Sequence, residues 1–121
     1  MKESPLRSKS YEFALEVVRI VRVLREKRPE YELTSQLLRS ATSVGANIEE
    51  AGAGQSRRDF VAKLAIARKE ANETRYWLRL LRYADVLEKG AASKLIEDCE
   101  ELIRMLTASV KTAQQEKSSF T

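Results

Sequence analysis

The sequence predicts an all-α fold, an up-down-up-down four-helix bundle. Three observations predict it. Apolar residues return at spacings of three and four in four successive segments, the period of one helix face. Gly (4) and Pro (2) are scarce among 121 residues, so little interrupts those segments. Runs that alternate β-branched or aromatic residues with polar ones, the mark of strands, are missing. A chain of this size makes one domain with one core. Its 43% hydrophobic and 33% charged residues are those of a globular protein.

The first helix is predicted over about residues 10–28. Met1–Lys9 is polar and contains Pro5, which reads as a frayed lead-in, with Ser8 or Ser10 as the cap. Phe13, Val17, Ile20 and Leu24 form its apolar stripe, widened by Ala14, Val18 and Val21. Pro29 stops it, because proline has no N–H and restricts the residue before it. Glu30–Leu33 then reads as a link. The second helix is predicted over about residues 34–52, capped by Thr34. Its stripe of Leu37, Leu38, Ala41, Val44, Gly45, Ile48 and Ala51 has unusually small side chains. Gly45 costs about 1 kcal/mol against Ala in a helix interior, which points to close packing. Gly52 and Gly54 are expected to end the helix in left-handed conformations.

Ser56-Arg57-Arg58-Asp59 resembles a capping box and opens a third helix, about residues 56–83. Its inward seam is Phe60, Leu64, Ala67, Ala71, Thr74, Leu78 and Leu81, a heptad-like alternation. Asp85–Gly90 reads as a turn. A fourth helix, about residues 88–115, follows with Leu95, Cys99, Leu102 and Leu106 inward, flanked by Ile96, Ile103 and Val110. Gln114–Thr121 reads as a polar tail. Four helices of similar length on short connections imply the bundle.

Composition also excludes chemistry. The chain has no histidine, so the usual general base, zinc ligand and triad partner are missing. Glycine-rich phosphate-binding patterns are absent too, because Gly52–Ser56 has the wrong spacing and no preceding strand. Cys99, on the apolar seam of the fourth helix, reads as core filler. As the single cysteine it forms no intrachain disulfide, which fits a reduced, cytoplasmic setting. No apolar run approaches the ~20 residues of a membrane span, and MKESPLRSKS lacks a secretory h-region. Glu49, Glu50, Glu70 and Glu73 allow an all-carboxylate metal site only without the Glu-x-x-His motif of di-metal bundles. No catalytic residue, metal or cofactor is therefore expected.

The arginines give a sharper pattern. Arg68, Arg75, Arg79 and Arg82 are seven, four and three residues apart, which sets them along one stripe of the third helix. Guanidinium groups so placed track successive phosphates. Arg57, Arg58 and Lys63 extend the basic character, and Tyr76 and Trp77 are interleaved as stacking or interface groups. The opposite reading is a solvated face whose arginine stems cover apolar surface. Asn47, Glu50 and Glu73 are expected to form a structural polar network. Small residues on several sides of the second helix, with Tyr76 and Trp77 on the third, exceed what a lone bundle buries and suggest self-association.

The residues from Gln36 to Glu50, QLLRSATSVGANIEE, together with Phe60, Leu64 and the segment ARKEANETRYWL from Ala67 to Leu78, resemble the 23S rRNA-intervening-sequence proteins. The match covers the second and third helices well and the outer two only in general pattern. Ala51 stands where that pattern commonly has Gly. The resemblance implies a left-handed up-down bundle assembled as a ring-shaped homopentamer. It also implies a structural role for the matching polar positions Asn47, Glu50 and Glu73. The related accessory variability protein of diversity-generating retroelements forms a basic pentamer that binds nucleic acid and a reverse transcriptase. The expectation is thus a cytoplasmic, non-enzymatic homo-oligomer that contacts RNA or DNA electrostatically through a basic surface. The alternative is a protein-interaction scaffold or accessory subunit without nucleic-acid contact, and a carboxylate metal enzyme is a weaker third.

Overall fold

Ser4, not Ser8 or Ser10, opens the first helix. In a computed structural model describing residues 4–53 and 56–119, the Ser4 side chain accepts from the Arg7 amide and Pro5 takes the first helical position. Proline is favoured there because that N–H has no helical partner to lose. Helix α1 therefore runs Pro5–Lys27, and the polar lead-in from Pro5 to Lys9 is helical. Ser10 is buried rather than a cap, its hydroxyl donating to the Arg7 carbonyl at 3.0 Å.

Helix α2 spans Tyr31–Gly52, three residues earlier than predicted. Thr34 is not its cap. The side chain is fully buried, donates to the Glu30 carbonyl at 2.7 Å and accepts from Arg25 Nε at 3.0 Å. The start has no side-chain cap bond. The expected link at Glu30–Leu33 is thus mostly helix. At the other end Gly52 does not turn left-handed: no described glycine has positive φ. Ala53 caps α2 instead (φ −98°, ψ 5°), its N–H bonding back to the Glu49 and Glu50 carbonyls. Gly54 lies outside the described residues.

Helix α3, Arg57–Tyr83, has the predicted Ser56 cap, which accepts from the Asp59 amide. The turn to α4 passes through Asp85, at φ 58° the one non-glycine residue in the left-handed region among those described, where Asp is better tolerated than most residues. Helix α4 is Lys89–Ser119. It extends past the predicted end near residue 115, and Gly90 lies within its first turn. Polar composition alone did not stop it, because Lys, Gln, Glu and Ala are all strong helix formers.

The helices pack in sequence, α1 on α2, α2 on α3, α3 on α4, with α4 closing on α1. The core has two clusters. One joins Phe13, Val17 and Val21 of α1 to Leu37 of α2, Leu78 and Leu81 of α3, and Leu95, Cys99 and Leu102 of α4. The other joins Val44, Ile48 and Ala51 of α2 to Leu64, Ala67 and Ala71 of α3, and Leu106 and Val110 of α4. The predicted inward seam of α4 is buried, and that of α3 is buried from Leu64 to Leu81, whereas Phe60, at its start, is only partly buried. No helix among the described residues is long and apolar enough to cross a membrane.

Candidate functional site

Helix α3 supplies most of the predicted functional residues, and the bundle sorts them onto different sides of it. At 3.6 residues per turn, Arg68, Arg75, Arg79 and Arg82 fall within an arc of roughly 60°. That arc flanks α4: Arg75 Nη1 lies 3.8 Å from Glu100 Oε2 of α4, and its Nη2 donates to Asn72 Oδ1 at 3.3 Å. Arg82 stacks over the Tyr83 ring, 4.9 Å from the centroid. Arg68 and Arg79 have no ion-pair partner among the described residues. Among the described residues only Arg75 of the four has a carboxylate partner, and the other three keep their charge uncompensated.

The remaining predicted cations do not all join this stripe. Arg57, near the start of α3, lines a shallow groove with Phe60 of α3 and Ser109 and Thr112 of α4. Arg58 is exposed. Lys63 turns the other way, to α2, where its Nζ sits 3.0 Å from Glu50 Oε2. That bond, then the carboxylate's charge, holds the Lys63 ammonium above the usual lysine range.

The structure does not bring Asn47, Glu50 and Glu73 together. Asn47 donates within its own helix to the Ser43 carbonyl at 2.8 Å. Glu50 serves Lys63. Glu73 belongs to a different group, which sequence reasoning missed because it hinges on Arg39. Arg39 of α2 reaches across to α3, with Nη1 3.1 Å from Glu70 Oε2 and Nη2 bonded to Glu73 Oε2. Trp77 Nε1 donates to the same Glu73 oxygen at 3.0 Å. Spacing within one helix puts Glu70 and Glu73 on a shared face but says nothing of the neighbour that faces them.

A second connection lies deeper. The Ser40 and Thr74 hydroxyls are 2.9 Å apart, both fully buried. Thr74 Oγ1 is also 2.8 Å from the Glu70 carbonyl oxygen and Ser40 Oγ is 3.3 Å from that of Leu37. Each hydroxyl has one proton, so the two share a single bond across the α2–α3 interface whichever donates. Among the described residues, no buried side-chain nitrogen or oxygen lacks a partner.

Trp77 and Tyr76 part company. Their rings meet edge to face, centroids 5.0 Å apart at 75°. Trp77 packs on the bundle's own core, whereas Tyr76 points outward, 56% exposed. Tyr76 is joined on the outer face by Ile66, Leu80 and Tyr83, all exposed. With Ala62, Lys69 and Glu73 these residues repeat the three-four spacing of the inner seam. Helix α3 therefore has two heptad-like seams, one buried and one open. The signal was in the sequence, at 62, 66, 69, 73, 76, 80 and 83, but Lys69 and Glu73 interrupt its hydrophobicity.

Chemically the site can pair, stack and pack. Glu49 accepts from Arg7 Nε at 2.8 Å, so each of the four carboxylates weighed as metal ligands has a cationic partner. Among the described residues no three acidic, Cys or His side chains converge. Cys99 is fully buried; its S–H points to the Ala71 carbonyl at 3.2 Å, and burial pushes the thiol up to about 12. A protonated, enclosed thiol is a poor nucleophile.

Residues 2–108 match the family model described as 23S rRNA-intervening sequence protein. A solved structure of a protein of unknown function from the S23 ribosomal protein family of Bacteroides thetaiotaomicron is similar throughout. It is 42% identical, with a TM-score of 0.85, and the match covers 88% of this chain and 98% of that one. Comparison with curated proteins gives no match.

Proposed function

The chain belongs to the 23S rRNA-intervening sequence protein family, and on that footing we propose that it works without catalysis, as a self-assembling helical bundle that contacts RNA or DNA. Copies meet through the outer seam of α3, and the cationic flank of the same helix faces the nucleic acid. The observation that carries the reading is the open seam: Ile66, Tyr76, Leu80 and Tyr83 stand in line and exposed. A lone bundle has no use for a second seam at that spacing. Repetition around a ring, five copies in the form the resemblance implies, multiplies a protomer charge of +4 into a strong field. Binding is then electrostatic and largely blind to sequence. The setting is the cytoplasm, in keeping with the enclosed, reduced Cys99.

Light scattering with and without RNA tests both halves. The protein alone is expected at a multiple of its chain mass, and Leu80→Glu with Tyr83→Glu drives it to monomer. RNA adds mass, with affinity falling steeply as salt rises. Arg75→Glu with Arg79→Glu weakens binding and flattens the salt slope by roughly 0.7 per lost contact on a single strand. An affinity indifferent to salt, or unchanged in that double variant, rejects the nucleic-acid half.

A second reading has an observation of its own. Arg75 already faces Glu100 and Arg82 already stacks on Tyr83, which favours a scaffold whose partner is a protein. Pull-down with and without nuclease separates the readings: a partner retained after nuclease supports the scaffold.

A further inference from the structure

The seam between α1 and α4 holds two grooves of opposite chemistry. The first, near the start of α1, has a volume of about 450 Å³ and is lined with charges that satisfy one another. Lys9 meets Glu101 at 2.9 Å, Lys94 meets Asp98 at 2.8 Å, and Arg19 meets Glu16 at 3.2 Å. The second, about 410 Å³, lies between the C-terminal half of α1 and the α3–α4 turn. Its walls are aliphatic: Ile20, Val23 and Leu24 on one side, Val86, Leu87 and Ala91 on the other. Val23 is 55% exposed, too open for a residue with a partner in its own bundle.

The rim of this second groove is Arg19, Lys27, Arg28 and Glu88, and its charges are not closed off. Arg28 donates to the Asp85 carbonyl oxygen at 3.2 Å, a neutral acceptor that leaves the guanidinium charge unspent. Lys27 has no ion pair among the described residues. Arg19 shares Glu16 in an exposed pair that solvent screens. Glu88, the one carboxylate, hangs over the first turn of α4, its Oε1 3.1 Å from where a Cβ on Gly90 would stand. There the positive end of a long helix answers it. The walls are also preformed, because the Val86 and Leu87 amides both bond to the Leu81 carbonyl, at 2.9 and 3.1 Å.

We propose that this groove docks an acidic amphipathic helix of a different protein. Its aliphatic side chains, three or four residues apart, lie on Ile20, Val23 and Leu24, and its carboxylates face Lys27 and Arg28. The wall from Arg19 to Arg28 is about 15 Å long, room for two to three turns of a helix laid in a groove. Charge argues against a second copy of this chain. The open seam of α3 contains Lys69 and is flanked by Arg79 and Arg82, cations like those of the rim. The acidic stretch Glu97–Glu101 of α4 belongs to a helix whose Leu95 and Leu102 are buried.

A displayed library of random 16-residue peptides, selected on the full-length protein, tests the proposal. The selected peptides are expected to combine aliphatic residues at helical spacing with Asp or Glu. Their affinity is expected to fall on the order of tenfold with Val23→Asp, and less, in a salt-dependent way, with Lys27→Glu. Both sites are exposed, and an unchanged helical circular dichroism spectrum verifies that the variants fold. Selection of no common class, of peptides without acid, or of peptides indifferent to Val23→Asp overturns the proposal. So does a drop in assembled mass with Val23→Asp, which identifies the occupant as a second copy.

Discussion

The α2–α3 and α1–α4 pairs are both antiparallel helix contacts in one bundle, yet they are built differently. Between α2 and α3, Ala41, Ala67 and Ala71 are fully buried, and small side chains let the backbones close. Over that floor lie the Ser40–Thr74 bond, Arg39 with Glu70 and Glu73, and Lys63 with Glu50. Between α1 and α4 the contacts are sparse, and two grooves open along α1, one lined by charged side chains and one by aliphatic ones. The α2–α3 pair sets the register of the fold, whereas the α1–α4 seam leaves surface for something else. Polar bonds alone do not make the difference, since both pairs have ion pairs. The one across α1–α4 among the described residues, Lys9 with Glu101, sits in solvent and is worth ~0–1 kcal/mol, whereas the hydroxyl pair of α2–α3 is buried.

The largest expected effect tests that asymmetry directly. Leu78, fully buried on α3, loses transfer free energy and leaves a cavity on Leu78→Ala, at a cost of about 2–5 kcal/mol in urea denaturation. Val23→Ala, in the aliphatic groove beside α1, stays within ~0.5 kcal/mol. Comparable losses from the two variants would mean that the groove is packed in solution, and the contrast would fail.

The next effect is smaller and more specific. Thr74→Val keeps volume and removes one hydroxyl, which costs about 1 kcal/mol for a hydrogen bond of this kind. Ser40→Ala costs a similar amount. If the two hydroxyls act as one latch, the double variant loses less than the sum, with a coupling of at least ~0.5 kcal/mol. Additive losses would show that each hydroxyl serves only its own helix, through the Glu70 and Leu37 carbonyls.

What the sequence made legible follows the same division. The α3 cap at Ser56 and the seam from Leu64 to Leu81 were readable because periodicity and capping agreed there. The starts of α1 and α2 were not. Met1–Lys9 is polar enough to hide the Ser4–Pro5 signature, and α2 begins without a side-chain cap, so Thr34 stood in for one. Arg39 was invisible as a bridge, since nothing in local spacing tells which neighbouring helix an arginine reaches. Lys63 was counted with the α3 arginines by composition, although its angle on the helix turns it to Glu50. The outer seam of α3 was obscured by Lys69 and Glu73, and the α1–α4 grooves depend on how the helices close, which no single segment encodes.

The smallest prediction concerns Gly45, where α2 crosses α1 and the tight half of the bundle meets the loose one. The sequence suggested that a glycine there admits a close neighbour. A Cβ added at Gly45 would stand 3.7 Å from the Ser10 carbonyl oxygen, ordinary contact that asks nothing to move. Gly45→Ala then gains about 0.5–1 kcal/mol by lowering the entropy of the unfolded chain, a rise of about 2–4 °C in Tm by calorimetry. A fall in Tm would place α1 closer to α2 than this geometry allows. The asymmetry would then start at the α1–α2 contact, leaving α1–α4 open because α1 is drawn towards α2.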